Sequence, residues 1–362
     1  MYRSNILILL SIVVVTIALL FADPPEPPAG KHWEPVESLT DEFNGNAIDA
    51  GKWYDYHPNW SGRLPSLFKK GNAFVRDGKL LLRNGSRIDN MNQVNDPYND
   101  VWIDAAAVVS KEKNSQVGWY YETSMKASDC AMSSSFWFRV GKFSEIDVIE
   151  HIGRATKPGV DKSYEYSCNT HVYGDQSGPS VGKTYKMSTR GRDEFHVYGF
   201  WWKSPTDLRF YHNDKEVMQV TPSVPFNEKL NMIWDTEALI PNWVGLPTIE
   251  SLKDNTKNTM YVDWVRTWKL EDGTDIISQL PDIKSPAYLQ ISSIKHGRRF
   301  QISTNRALDG HVTIVKANGS LAAAFTLETG KSIDWKAKSK GMYLVFLKAD
   351  GIKETRKLHI YE

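Results

Sequence analysis

The amino-acid sequence predicts an all-β protein whose main body is one large β-sandwich. Short runs rich in β-branched and aromatic residues recur along the chain, for example Lys79–Arg83, Leu208–Tyr211 and Met260–Trp264. Gly, Asn, Asp and Pro turn signals separate these runs, and the sequence shows no long stretch with the 3.6-residue periodicity of an amphipathic helix. Residues 31–272, about 240 in number, therefore form the predicted sandwich.

The N-terminal segment before this sandwich predicts export. Residues 6–21 are almost wholly apolar, follow Arg3 and precede Ala22. This run is shorter than the about 20 residues of a membrane-spanning helix and matches a secretory signal. We predict a signal peptide at 1–22, a Pro-rich spacer at 23–30, and a secreted or cell-surface protein without stable membrane insertion after cleavage. An uncleaved N-terminal anchor is the alternative.

A second, smaller β unit is predicted at the C-terminal end. Residues 273–287 contain Pro281 and Pro286 and are expected to form a linker. Residues 288–362 alternate apolar and polar side chains and carry turn signals such as Asn318-Gly319, which predicts a small β-sandwich. Its closing stretch resembles the C-terminal sorting domains of secreted Bacteroidetes proteins. A carbohydrate-binding accessory module is the competing interpretation.

Composition excludes some partners and leaves other properties open. The formal net charge is +1 with 24% charged residues, so no global field favours nucleic acid or a membrane surface. Cys130 and Cys168 are the only two cysteines of the sequence. They could pair in an oxidising compartment, or remain two buried thiols. The oligomeric state is not indicated.

The segment Ser144–His151 carries three carboxylates in a short apolar run. On a regular strand Glu145 and Asp147 share one face, and Glu150 points to the other. A bulge of one residue between Asp147 and Glu150 would bring all three acids to the same face. Ile146 and a Val148/Ile149 contact would then lie on the buried side.

Such a row of acids points to acid–base chemistry on a sugar. Like charges repel, so at least one of the three carboxyl groups should keep its proton near neutral pH. A protonated acid beside an ionised carboxylate is what a glycosidase uses. The chain also has 13 Trp and 16 Tyr, and their rings offer faces on which sugars stack, although most should be core packing. The alternative is that the acids are only the solvated face of a strand.

This acidic segment resembles the active-site strand of glycoside hydrolase family 16, in the bulged form of marine galactanases and laminarinases. The family's other blocks are resembled by Asp41–Phe43, Phe195–Trp202 and Tyr261–Arg266. The resemblance covers roughly residues 31–270 and implies a jelly-roll β-sandwich with a concave substrate cleft.

The same resemblance implies a retaining, endo-acting hydrolase. Glu145 would be the nucleophile, Glu150 the general acid and then base, and Asp147 an assisting residue that hydrogen-bonds Glu145. Retention requires the two catalytic carboxyl groups to lie only about 5–5.5 Å apart.

Within the family, the blocks at Asn59–Arg63 and Phe138-Arg139 resemble the subsites of porphyranases, which hydrolyse the sulfated red-algal galactan porphyran. Trp60 would stack on a sugar, while Arg63 and Arg139 would present planar donor forks to a sulfate ester. Alternatively, these arginines pair with acids of the protein. The predicted substrate-binding residues are Trp60, Arg63, Trp137, Arg139, His171 and Glu237, with a structural role kept open for His171.

Several other functions are retained as alternatives. A β-agarase acting on neutral agarose is the nearest one, a laminarinase is more distant, and a non-catalytic carbohydrate-binding or surface adhesion protein belongs to another class. No cofactor is expected for the chemistry. Some family members hold a structural Ca²⁺, for which Asp263 is the candidate here, although Ca²⁺ requires six or more oxygen ligands.

Overall fold

A computed structural model describes residues 24–141, 143–174, 178–239, 241–272, 289–294, 298–304, 309–316, 321–339, 341–349 and 352–360. The predicted signal peptide (1–22) and linker (273–287) lie outside these residues. Within the described ranges there is no helix long and apolar enough to cross a membrane. The chain divides into two compact units, one of which is Pro24–Asp275, while the C-terminal strands belong to the other.

The large unit is built from short strands joined by turns. Its strands are β1 (Lys31–Pro35), β2 (Trp53–Tyr54), β3 (Ser66–Phe68), β4 (Ala73–Arg76), β5 (Lys79–Arg83), β6 (Gly85–Ser86), β7 (Ile103–Ala105), β8 (Ala107–Ser110), β9 (Tyr120–Lys126), β10 (Ser133–Arg139), β11 (Ser144–Ile152), β12 (Glu165–Val172), β13 (Lys183–Lys186), β14 (His196–Ser204), β15 (Asp207–His212), β16 (Lys215–Val220), β17 (Asn231–Asp235) and β18 (Thr259–Asp272). Helical segments are the 3-10 turns Glu37–Leu39 and Met91–Gln93 and the short helices α1 (Pro241–Val244) and α2 (Ile249–Lys253).

Two antiparallel sheets form the sandwich. One has the order β16-β15-β14-β9-β18-β5-β4, with β1 also paired to β18, and the other has the order β13-β12-β11-β10-β17-β8-β2. We call them the eight-stranded and the seven-stranded sheet. A small third sheet, β3-β7-β6, joins strands of the same unit. The all-β jelly-roll sandwich predicted from the sequence is confirmed.

Strand alternation decides which side chains enter the core. On β10, Phe136 and Phe138 are fully buried in the core, so Ser135, Trp137 and Arg139 face the opposite side of the seven-stranded sheet. The core between the sheets also receives Tyr121, Met125, Ile146, Val148, Ile149, Phe200, Trp202, Phe210 and Val262. Packing of these large apolar side chains holds the seven-stranded sheet in place beneath the residues on its outer face.

The C-terminal unit is also made of strands. These are β19 (Leu289–Ile294), β20 (Arg299–Thr304), β21 (Gly310–Lys316), β22 (Leu321–Leu327), β23 (Ile333–Lys336), β24 (Gly341–Ala349) and β25 (Ile352–Ile360). They form the sheets β19-β20-β23 and β22-β21-β24-β25. A separate core, which includes Ile302, Val312, Val345 and Trp335, fills this unit. In the large unit, Cys130 and Cys168 are both buried free thiols.

Candidate active site

The acidic strand β11 contains the bulge that the sequence predicts. Asp147 lies opposite Trp137 of β10, but Ile149 lies opposite Phe136, so Val148 is the extra residue. Val148 and Ile149 are both fully buried in the core. The extra residue re-aims the strand, and Glu145, Asp147 and Glu150 all line one cleft on the outer face of the seven-stranded sheet.

The Glu145 carboxylate is held by two donors. Nη1 of Arg139 donates to Oε2 at 2.6 Å, and the Tyr173 hydroxyl donates to Oε1 at 2.9 Å. The guanidinium of Arg139 also lies over the Tyr173 ring, 4.1 Å from its centroid. Only 10% of the Glu145 side chain is exposed, so both oxygens are fixed in a site with limited access to water.

Asp147 contacts a histidine on the neighbouring strand. Nε2 of His171 lies 3.2 Å from Oδ2 of Asp147 and 4.0 Å from Oε1 of Glu145. The other ring nitrogen of His171 lies 2.6 Å from the Ser180 hydroxyl, which orients the ring. Burial, and then the charge of Glu145, raise the pKa of Asp147 well above its usual range. His171 of β12 thus contacts both Asp147 and Glu145.

Glu150 is a cleft acid whose pKa is raised past neutrality. Burial, together with the negative charges of Asp147 and Glu237, raises its pKa from 4.5 to about 8. At neutral pH this side chain is therefore mostly protonated and can donate a proton. Ser135 of β10 lies directly opposite Glu150 in the strand register.

A second pair of acids follows from strand β17. Asp235 is buried, and among the described residues neither of its carboxyl oxygens has a formed hydrogen bond. Burial, then the charges of Glu237 and Glu150, raise its pKa, while the nearby Trp137 indole opposes this without reaching full hydrogen-bond geometry. Glu237 accepts from Nε of Arg63 at 2.8 Å, and burial raises its pKa despite that contact.

The cleft holds about 400 Å³ of empty space that is open to solvent. Its lining residues are Trp60, Arg63, Ser135, Trp137, Arg139, Glu145, Asp147, Glu150, Tyr173, Asp235 and Glu237. The Trp60 ring meets the Trp137 ring nearly at right angles, with centroids 6.3 Å apart. Five carboxyl groups and two guanidinium groups thus share one cleft with two indole rings.

Five of the six residues predicted to bind substrate line this cleft, and His171, opposite Glu145 on β12, contacts two of its carboxyl groups. Sequence reasoning missed Tyr173, Asp235 and Ser135. Strand alternation could have found them, because Tyr173 follows His171 by two residues, Asp235 precedes Glu237 by two, and Ser135 precedes Trp137 by two. The sequence allows the two arginines to be free or paired with acids, and the structure pairs each with a cleft acid.

Asp263 stands apart from the cleft. Its carboxylate lies 3.3 Å from the Lys79 ammonium group. That positive charge opposes a divalent cation at the same oxygen, so the surroundings of Asp263 do not favour calcium there. Among the described residues, Glu145, Asp147 and His171 do bring three potential ligand atoms within 4.8 Å of one another, but these are the acids and histidine of the cleft. The structural Ca²⁺ stays a prediction from the resemblance.

A β-sandwich whose cleft sets a protonated acid beside ionisable carboxylates has the features of a glycosidase. The family model described as "Beta-porphyranase A-D, GH16 domain" matches residues 33–270, which include every cleft residue. The chain therefore belongs to the porphyranase branch of glycoside hydrolase family 16, and it is a glycoside hydrolase.

Individual relatives agree with this family. The chain is 35% identical to Beta-porphyranase E of Zobellia galactanivorans over 263 residues, which cover 67% of this chain and 90% of the relative. It is 28% identical to Beta-agarase AgaB34 of Agarivorans albus over 85% of this chain and 71% of the relative. The crystal structure of a beta-porphyranase from the human gut bacterium Bacteroides plebeius superimposes with a TM-score of 0.60 and 32% identity, covering 69% of this chain and 96% of that one.

Proposed function

We propose that this protein is a secreted, endo-acting, retaining β-galactanase that cleaves the sulfated algal galactan porphyran. The observation that carries the proposal is the match to the porphyranase family model over residues 33–270, with the three acids of β11 facing one cleft. Identity to Beta-porphyranase E at 35% is higher than identity to Beta-agarase AgaB34 at 28%, which supports porphyran over agarose.

The arrangement of the acids suits a double displacement. In the first step an oxygen of Glu145 attacks the anomeric carbon, the glycosidic C–O bond breaks, and Glu150 gives its proton to the leaving oxygen. In the second step Glu150 accepts a proton from water, whose oxygen displaces Glu145 from the sugar. The pKa of about 8 leaves Glu150 protonated for the first step at neutral pH. Asp147, whose negative charge acts on Glu145 and which contacts His171, is proposed to assist by tuning the proton affinity of the nucleophile.

Substrate binding is proposed to combine stacking and charge. Trp60 and Trp137 would place aromatic faces against sugar rings. Arg63 and Arg139 would present guanidinium donors to a sulfate ester. The planar fork of an arginine matches the sulfate oxygens better than the ammonium group of a lysine does. Glu237 would fix Arg63 through the contact at 2.8 Å and accept hydrogen bonds from sugar hydroxyl groups.

β-Agarase activity on neutral agarose is the second candidate, and one observation favours it. Both cleft arginines already donate to cleft carboxylates, Arg63 to Glu237 and Arg139 to Glu145. A neutral polymer can bind without breaking either contact. A sulfated polymer has to compete with them for the guanidinium groups.

A parallel assay decides between these functions. Reducing-sugar release is measured on porphyran, agarose, laminarin and carrageenan with the same enzyme preparation, and NMR follows the anomeric configuration of the first product. We expect porphyran to be hydrolysed fastest, with retention of configuration. Faster hydrolysis of agarose would support a β-agarase in place of a porphyranase. A product with inverted anomeric configuration would contradict the assignment of Glu145 as nucleophile.

Export and the separate C-terminal module are part of the proposal. The apolar segment at 6–21 supports cleavage after residue 22, and the second core beyond residue 288 supports an independently folded module for sorting or carbohydrate binding. Expression in a secreting host should release protein whose N-terminus lies near residue 23. A chain that ends at residue 275 should keep its activity, and an insoluble or inactive product would argue against two independent domains.

A further inference from the structure

Arg139 holds the atom that has to react. Its Nη1 donates to Oε2 of Glu145 at 2.6 Å, while Tyr173 independently holds Oε1 at 2.9 Å. If Arg139 left, Glu145 would keep one of its two donors, and only Oε2 would become free. Loss of the Arg139 contact therefore exposes one lone pair of a carboxylate that stays anchored at the other oxygen.

This contact opposes the reaction once the substrate is bound. An enzyme accelerates a step only through interactions that strengthen in the transition state. As Glu145 attacks the anomeric carbon, its negative charge passes into the new C–O bond, so its attraction to the guanidinium weakens. The ion pair at Oε2 therefore stabilises the resting enzyme more than the transition state, and it slows the attack.

Arg139 is also placed to exchange partners. Its side chain is 29% exposed and lines the cleft, whereas the Glu145 side chain is only 10% exposed. Nε contributes one long contact to the Gly141 carbonyl at 3.3 Å, and the guanidinium plane is supported by the Tyr173 ring. The group is thus held by its face and by one edge, and a sulfate ester arriving from the cleft would compete for the same donors.

We propose that Arg139 is a substrate-released clamp on the nucleophile: a sulfate ester of the bound galactan takes its guanidinium and frees Oε2 of Glu145 for attack. This inference rests on the proposed function, and it adds that sulfate recognition acts on the chemical step as well as on binding. Sulfated and neutral galactans should then differ in kcat and not only in KM.

The test uses a neutral agarose oligosaccharide at saturating concentration and inorganic sulfate as the probe. In the wild-type protein, sulfate is expected to raise kcat by roughly three- to tenfold relative to chloride at equal ionic strength. Arg139→Met should exceed the wild-type kcat on the neutral oligosaccharide and should not respond to sulfate. Arg209→Ala removes a guanidinium from the other sheet, paired with Asp207 and Glu216, and should behave as the wild type.

Separate outcomes overturn the clamp and the proposed function. If sulfate leaves the wild-type kcat unchanged or lowers it, or if Arg139→Met loses kcat on the neutral oligosaccharide while its unfolding temperature is unchanged, the clamp is wrong. Porphyran can still be preferred through KM alone in that case, and the proposed function stands. If porphyran is hydrolysed no faster than agarose in the parallel assay, the proposed function fails instead. The sulfate response of the wild type does not depend on the folding of any variant.

Discussion

The acids on the two sheets of the large unit differ in how fully they are paired. On the eight-stranded sheet, Arg266 of β18 donates to both oxygens of Glu42, at 2.7 and 2.9 Å, and stacks over Trp264. On the seven-stranded sheet, five acids line the cleft with two guanidinium groups. Glu42, beside the eight-stranded sheet, has a bidentate partner. In the cleft of the seven-stranded sheet, acids such as Asp235 have no formed hydrogen bond among the described residues.

The difference separates stability from chemistry. A bidentate pair fixes both oxygens of an acid, so the acid serves to hold the structure together. Buried acids that outnumber their cations retain protons, which is unfavourable for stability but supplies a proton donor near neutral pH. The contrast predicts that substitutions of acids in the cleft of the seven-stranded sheet cause large losses of activity. Substitutions of the ion pair on the eight-stranded sheet should cause large losses of stability.

The largest effect is expected from removing a catalytic carboxyl group while keeping its shape. Glu145→Gln and Glu150→Gln should each lower hydrolysis of the best polymer by about 10³-fold or more. Asp147→Asn should be milder. Thermal unfolding of each variant, followed by circular dichroism, checks that the fold is intact. Turnover close to the wild type in either Gln variant would remove that residue from the proposed mechanism.

On the eight-stranded sheet the corresponding change should cost stability. Arg266→Ala removes two charge-assisted hydrogen bonds from a guanidinium whose side chain is 5% exposed, and we expect a loss of about 2–4 kcal/mol in the free energy of unfolding. Arg209→Ala, a more exposed pair on the same sheet, should cost only about 0–1 kcal/mol. Urea unfolding measures both. If Arg266→Ala instead lowered kcat at a temperature where the variant is folded, the division between the sheets would not hold.

The pH dependence of activity sharpens the comparison. Because Glu150 must be protonated to act as the acid, and its pKa is about 8, kcat/KM should fall about tenfold for each pH unit above 8. The charge of Glu237 contributes to that raised pKa. Glu237→Gln should therefore move the basic limb to lower pH. A limb that stays in place in this variant would show that the charge of Glu237 does not reach Glu150.

A further effect of the raised pKa of Glu150 is on stability as a function of pH. Glu150 ionises near 4.5 in an unfolded chain and near 8 in the folded one, so the folded chain binds the extra proton between these values. The contribution of this proton to the free energy of unfolding is complete below about pH 4.5 and is lost as the pH rises towards 8. The unfolding temperature should fall more from pH 5 to pH 8 in the wild type than in Glu150→Gln, by about 2–4 °C per kcal/mol of difference. Parallel pH profiles would contradict the folded-state pKa.

Much of this site could be predicted because strand patterns are local. The apolar residues between the acids indicated a strand, and the mismatch between Glu145, Asp147 and Glu150 indicated one extra residue. Contacts between distant strands could not be predicted in this way. The donation of Tyr173 to Glu145 and that of Arg63 to Glu237 depend on pairing across 28 and 174 positions of the chain. Side-chain alternation indicates a face, but it does not specify which partner on that face is reached.

The extra residue at Val148 has a consequence for how the gene can change. Loss of that single codon would keep every acid, arginine and tryptophan of the cleft in the coding sequence. The shortened strand would then alternate regularly, with Glu145, Asp147 and Glu150 on the cleft face and Ile146 and Ile149 on the core face. The face of each acid therefore does not depend on keeping Val148: a Val148 deletion variant should remain active, and an inactive but folded deletion variant would show that the bulge itself positions Glu150.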